Sequence, residues 1–190
     1  MKRIKTKTVF SFAFISCLAV ASTANATTVG GGTISFTGIV TDHTCKIEGG
    51  AGTDNGTDNF TVELDPVKDS DLTPGISLKR HDFNIVITGE DGGHCADGKV
   101  LYMSFKPGRT VNGLTGNLSN MLSDESTNVE IQLLKKDGTP IDLRNEESGK
   151  QSVTMANHIG ILDYAAQYHS LGDVTPGLIE TSIVYHVVYN

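Results

Sequence analysis

The sequence predicts an all-β sandwich, and three observations carry that prediction. Turn dipeptides punctuate the chain at short intervals, among them Asp65-Pro66, Asp91-Gly92, Asp97-Gly98, Asn112-Gly113, Asp137-Gly138 and Pro176-Gly177. Between them lie alternating apolar and polar runs of about five to eight residues, with no long amphipathic helix pattern and no internal repeat. The third observation is the stretch that follows Pro176-Gly177, a β-branched and aromatic run unbroken by Gly or Pro. Ile179, Thr181, Ile183, Tyr185, Val187 and Tyr189 share one of its faces; Leu178, Glu180, Ser182, Val184, His186 and Val188 share the other. A strand apolar on both faces needs cover on both sides and a partner along each edge. The sequence ends at Asn190, so the second partner is expected from earlier in the chain or from another chain. The competing reading is an ordinary central strand of a closed sandwich.

Residues 1–26 are expected to leave before folding. Lys2, Arg3, Lys5 and Lys7 form a basic start, Val9 to Ala21 an apolar run, and Ala24-Asn25-Ala26 a small-x-small cleavage site. That pattern is a secretory signal peptide, too short to read as a span; a retained N-terminal anchor is the alternative. The mature chain then begins at Thr27 and has 164 residues (190 minus 26), enough for one domain with a real core. The removed segment holds four basic and no acidic residues, so the formal charge moves from −7 to −11, that is 11 basic against 22 acidic. So acidic a chain, without a basic cluster, argues against nucleic acid and against an anionic membrane surface as partners. No second apolar run is long enough to insert in a membrane.

Cys17 leaves with the signal, and Cys45 and Cys95 remain. An even pair in an exported chain reads as one disulfide. It would close a loop of about 50 residues and contribute roughly 4 kcal/mol in the chain-entropy model.

In chain order, Thr41 to Ile47 is expected as strand around Cys45, and Glu48 to Asn59 as a polar Gly/Asp/Asn loop. Phe60 to Leu64 is expected as a short strand with Phe60, Val62 and Leu64 inward, and Asp65 to Thr73 as turn. Ile76 to His81 is ambiguous, whereas Phe83 to Thr88 alternates clearly, as does Val100 to Lys106 with Leu101, Met103 and Phe105 on one face. Gly108 to Asp124 reads as loop with one helical turn near Leu118 to Leu122. Val129 to Lys135 and Pro140 to Leu143 are expected as a hairpin around Asp137-Gly138. Ser152 to Ala156 and Ile161 to Tyr168 complete the strands before the C-terminal one.

Candidate chemistry is thin. His43, Cys45, His94 and Cys95 suggest zinc, but adjacent His94-Cys95 cannot easily both ligate one tetrahedral ion, and the disulfide competes for both sulfurs. His81, His158, His169 and His186 are scattered, with no His-x-His pair. There is no Gly-x-Ser-x-Gly elbow, and the carboxylates sit in turn contexts rather than as an acid–base pair. No catalytic, metal or cofactor site is expected, and the chain is not read as an enzyme. Asn55-Gly56-Thr57 and Asn117-Leu118-Ser119 match the glycosylation pattern without further support.

The N-terminal stretch Thr27 to Val40, TTVGGGTISFTGIV, carries strand alternation of another kind. Gly30, Gly32, Ile34, Phe36, Gly38 and Val40 share a small and apolar face, and Thr33, Ser35 and Thr37 lie opposite. Its first half is too rich in Gly and Thr to pack a core of its own. A flexible leader is the bland alternative, but the phase sets Gly32 on the same face as Ile34 and Phe36.

Four features together make the mature chain resemble the pilin subunits of chaperone–usher fimbriae, in particular type 1-like major fimbrial subunits. They are the GGTISFTG segment, the cysteine in DHTCKI, Gly177 fourteenth from the end, and the penultimate Tyr189 closing an alternating strand. The resemblance implies an immunoglobulin-like β-sandwich lacking its seventh strand, completed by donor-strand exchange. It implies residues 27–40 as the donor extension, with Gly30, Gly32, Ile34, Phe36 and Gly38 facing the acceptor and Gly32 at a tight pocket, and residues 41–190 as the pilin domain. It implies that Cys45 and Cys95 bridge an early strand and one near mid-chain. It implies an acceptor made of Gly177, Ile183, Tyr185, Val187 and Tyr189, with the terminal carboxylate on Asn190 held by a periplasmic chaperone. The implied partners are copies of this chain, other fimbrial subunits, that chaperone and an outer-membrane usher, in a surface filament that supports adhesion. Against the family's pattern stand a longer charged stretch, Asp65 to Arg80, and the acidic Asn145-Glu146-Glu147. The alternative function is a self-contained secreted sandwich that binds a carbohydrate or another ligand as a monomer. The absence of Trp, with only 7 Phe and 5 Tyr, argues against sugar stacking.

Overall fold

The computed structural model describes residues 45–189. The signal peptide, the donor segment with Gly30, Gly32, Ile34, Phe36 and Gly38, the chain start at Thr41, His43 and the terminal Asn190 lie outside the described residues. Within them eight strands form two sheets, every ladder antiparallel. The strands are β1 (Lys46–Gly49), β2 (Ser77–Thr88), β3 (Val100–Lys106), β4 (Leu118–Ser119), β5 (Val129–Lys135), β6 (Gln151–Thr154), β7 (Ile159–Ser170) and β8 (Val184–Tyr189). The first sheet runs β1-β2-β7-β5-β4 and the second β6-β3-β8.

Alternation decides which side chains meet. Phe83, Ile85 and Ile87 on β2, Leu162, Tyr164 and Ala166 on β7, and Ile131 and Leu133 on β5 are buried and face Leu101, Met103 and Phe105 on β3. Tyr164 joins the sheets. Its ring meets Phe105 edge-on at 5.1 Å and lies 6.0 Å from Phe83 on its own side, and its hydroxyl donates to Gly149 O at 3.2 Å.

The strands expected at Val100–Lys106 and Val129–Lys135 stand with those bounds. β7 outgrows its expected length because it pairs with β2 and β5 along both edges. The ambiguous Ile76–His81 stretch joins β2 through a bulge between Leu78 and His81, with Lys79 at φ 59°. Three expectations are corrected. Residues 118–122 contain the short strand β4 instead of a helical turn, because Leu118 pairs with Ile131. The sole helical turn among the described residues is a 3-10 turn at Asp69–Asp71, inside the stretch expected as turn. Asp137-Gly138 does turn the chain, with Gly138 at φ 89°, but Pro140–Leu143 forms only one bridge to Leu134 before Ile141 and Leu143 sink into the core. Finally, Phe60–Leu64 takes its expected alternation yet belongs to no ladder among the described residues.

Candidate functional site

β8 lies at the rim of the second sheet. Among the described residues it pairs with β3 alone, from Leu101↔Tyr189 to Lys106↔Val184. The six residues before it, 178–183, are extended without a ladder and are fastened from one side. Met121 N donates to Glu180 O at 2.8 Å, Ser126 N to Leu178 O at 3.3 Å, and Thr110 Oγ1 to Ser182 O at 2.7 Å. Asn120 serves both directions, donating through Nδ2 to Leu178 O at 2.9 Å and accepting from Glu180 N at 3.0 Å. These holders carry no motif, and the sequence did not single them out.

The inward face is the one the alternation marks. Ile179, Ile183, Tyr185 and Val187 pack on the core, but only half-buried, while Val184 and Val188 point outward and are exposed. A second unladdered backbone borders the core beside them. Residues 59–67 present Phe60, Val62, Leu64 and Val67 inward, half-buried, with Thr61 and Glu63 exposed between. The two rails touch at Tyr185. Its hydroxyl donates to Asp58 O at 2.7 Å, and its ring centroid is 5.7 Å from that of Phe60. Burial lifts the Tyr185 phenol above its ordinary value, and the Asp58 carboxylate adds to the shift. Both backbones have unspent ladder positions among the described residues and set half-buried apolar side chains against the core, an arrangement of the kind an added strand completes.

The rail that leads through 178–183 into β8 is fixed at each end. At one end Gly177, φ 156°, lies so close to the 125–126 backbone that an added Cβ would strike Ser126 N and come 2.9 Å from Glu125 C. Glu125 completes the contact by accepting from Leu178 N at 2.8 Å. At the other end the Tyr189 ring stacks on His94 at 3.9 Å and 12°, and its hydroxyl lies 3.1 Å from His94 Nε2. His94 neighbours the disulfide Cys45–Cys95, which consumes both sulfurs of the zinc constellation considered from sequence. Of the expected acceptor residues, Gly177, Ile183, Tyr185, Val187 and Tyr189 therefore line one continuous edge.

The major fimbrial subunit SMF-1 of Stenotrophomonas maltophilia is 35% identical over 167 residues, which covers 84% of this chain and 92% of that protein. The chain belongs to the fimbrial subunit family. The F17 fimbrial protein of Escherichia coli is 31% identical over 180 residues, 93% of this fimbrial subunit and 97% of that protein. A subunit in a solved chaperone–usher pilus superposes with a TM-score of 0.56 at 20% identity, covering 88% of this chain and all of that one. That likeness gives the fold, an immunoglobulin-like sandwich. No family model matches the chain. A fimbrial subunit is a structural component of a surface filament, and that is where this one resides. Among the described residues no helix is long and apolar enough to cross a membrane.

Proposed function

We propose that this fimbrial subunit polymerises by strand exchange through the groove beside β8. Residues 1–26 direct export and are removed. Residues 27–40 of one copy enter the groove of another, with Gly32, Ile34 and Phe36 set over the half-buried floor of Ile183, Tyr185 and Val187. Backbone bonds to the free edge of β8 supply affinity, and the alternating side chains supply register, since a one-residue slip would turn the apolar face outward. Because the donor is at one end of the copy and the acceptor elsewhere, the contact does not close on itself and a filament grows.

Before assembly the same edge is a hazard, an unpaired strand edge beside half-buried apolar side chains. A periplasmic chaperone strand covers it until an outer-membrane usher brings the next subunit, and the Asn190 carboxylate is the chaperone's anchor point. The filament serves adhesion.

The observation that supports this reading is the pair of rails, 59–67 with no ladder and β8 with one edge unpaired among the described residues, beside half-buried apolar side chains. The test is a thermal melt of the chain begun at Thr41, with and without a peptide of Thr27 to Val40. The peptide is expected to raise Tm by about 10 °C or more, and a peptide carrying Gly32→Arg to leave it unchanged. A high Tm without peptide and no shift with it would mean that the sandwich is closed, and the reading would be abandoned.

A further inference from the structure

The two ends of the sandwich differ in what they expose. One end holds the start of β2, the end of β7 and the approach to β8. There Ile76, Met121, Leu171 and Leu178 are 42, 56, 44 and 68% exposed. They are held rather than loose. Ser170 N donates to Ile76 O at 2.9 Å, Leu171 N to Asn128 O at 2.8 Å, and Ser182 Oγ points at Met121 Sδ, 3.7 Å away. Leu178 is fixed at both backbone atoms by Glu125 and Ser126. The other end holds the disulfide, the His94–Tyr189 stack and the carboxylates Glu90, Asp91 and Asp97, together with two large apolar side chains of its own, Ile159 and Tyr189, 44 and 50% exposed.

We infer that the apolar end, with Met121 and Leu178 at its centre, is a docking face for the body of the next copy of this chain, beyond the contact its donor strand makes. The inference rests on the strand-exchange reading above. Every ladder in both sheets is antiparallel, so a donor added to β8 in the same sense runs with residue 40 toward Leu178. The body of the incoming copy begins at Cys45. Five residues reach at most about 18 Å when fully extended. The incoming disulfide end is therefore tethered at the mouth of the groove, against Met121 and Leu178. Two strongly acidic bodies repel at that distance, and shared apolar burial is what the exposed end offers to offset it.

The full mature chain assembled into filaments tests this. A benzophenone amino acid replacing Met121 is expected, on illumination, to cross-link to the neighbour within residues 89–99, as mapped by mass spectrometry. The double variant Met121→Glu/Leu178→Glu is expected to form filaments that dissociate in denaturant about tenfold more readily than wild type, while the monomer melts as wild type does. A full-chain Gly32→Arg arm separates the two readings. Filaments that survive Gly32→Arg would overturn strand exchange and the docking face with it. Filaments that require Gly32 but whose Met121 probe labels only its own chain or other segments, and that resist denaturant undiminished by the double variant, would overturn the docking face alone.

Discussion

Among the described residues, β7 runs between two partners and β8 runs beside one. Both are rich in β-branched and aromatic residues, and both direct a tyrosine inward. On β7, Leu162, Tyr164 and Ala166 are sealed, between 1 and 3% exposed, because β2 and β5 occupy its edges and the second sheet its inner face. On β8 the equivalent face stops at half-burial at Tyr185 and Val187, and Tyr189 at its end is 50% exposed. The same strand chemistry thus serves two ends. Where partners surround it, alternation makes a core; where one edge has no partner among the described residues, alternation leaves a half-buried face of the kind the proposed strand exchange would cover.

The largest expected effect separates the two strands directly. Leu162→Ala should cost about 2–5 kcal/mol in urea unfolding, equally with and without the donor peptide, because its cavity forms in a finished core. Val187→Ala should cost only about 1 kcal/mol in the chain alone, since much of the side chain is still wet, and should remove most of the stabilisation that the peptide brings. Equal costs for the two substitutions without peptide would show that β8 is as complete as β7, and the comparison would break.

A smaller effect comes from the joint where the 178–183 approach to β8 begins. Gly177→Ala drives a methyl group into the Ser126 and Glu125 backbone, which cannot rotate aside as a side chain would. A loss of about 1–3 kcal/mol is expected, with weaker peptide binding as the 178–183 rail shifts. An unchanged melt would mean that the 125–126 loop yields freely, and that the rail is not positioned by it.

Much of this was legible in the sequence, for reasons the two strands make plain. A period of two survives whether or not a strand is finished, so the inward sets of β3, of β8 and even of the unladdered Phe60–Leu64 stretch were all correctly phased. The disulfide was legible from the parity of two cysteines in an exported chain. What was hidden depends on neighbours. Nothing local distinguishes Phe60–Leu64, which has no ladder among the described residues, from Val129–Lys135, which has two. Leu118 reads as a helix former and becomes β4 because Ile131 lies opposite. Thr110, Asn120 and Glu125 hold the first half of the acceptor rail from 53 to 72 positions away in the chain, and such distances leave no trace in a window of residues. The buried Glu130 was missed in the same way. Asn112, Thr115 and Asn117 satisfy its carboxylate, and together they brace the loop that carries Thr110.

The smallest effect sharpens the comparison through the inward tyrosines of the two strands, Tyr164 and Tyr168 on β7 and Tyr185 on β8. Burial raises the phenol of Tyr164 far above its ordinary value, and raises those of Tyr168 and Tyr185 less. In each case the native state holds the proton more tightly than the unfolded chain, so the stability it contributes is fully present below the unfolded tyrosine value, about 10, and is lost as pH rises through the folded value. Urea midpoints should therefore stay level from neutral pH to about 9 and fall above about 10. Tyr164→Phe should flatten that fall, since the sealed phenol on β7 is removed. Tyr185 is half-open in the chain alone, so its tyrosinate absorbance should appear at lower pH than that of Tyr164, and the donor peptide should shift it upward by covering the ring. A Tyr185 titration indifferent to the peptide would place the donor strand somewhere other than over β8, whatever the melt records.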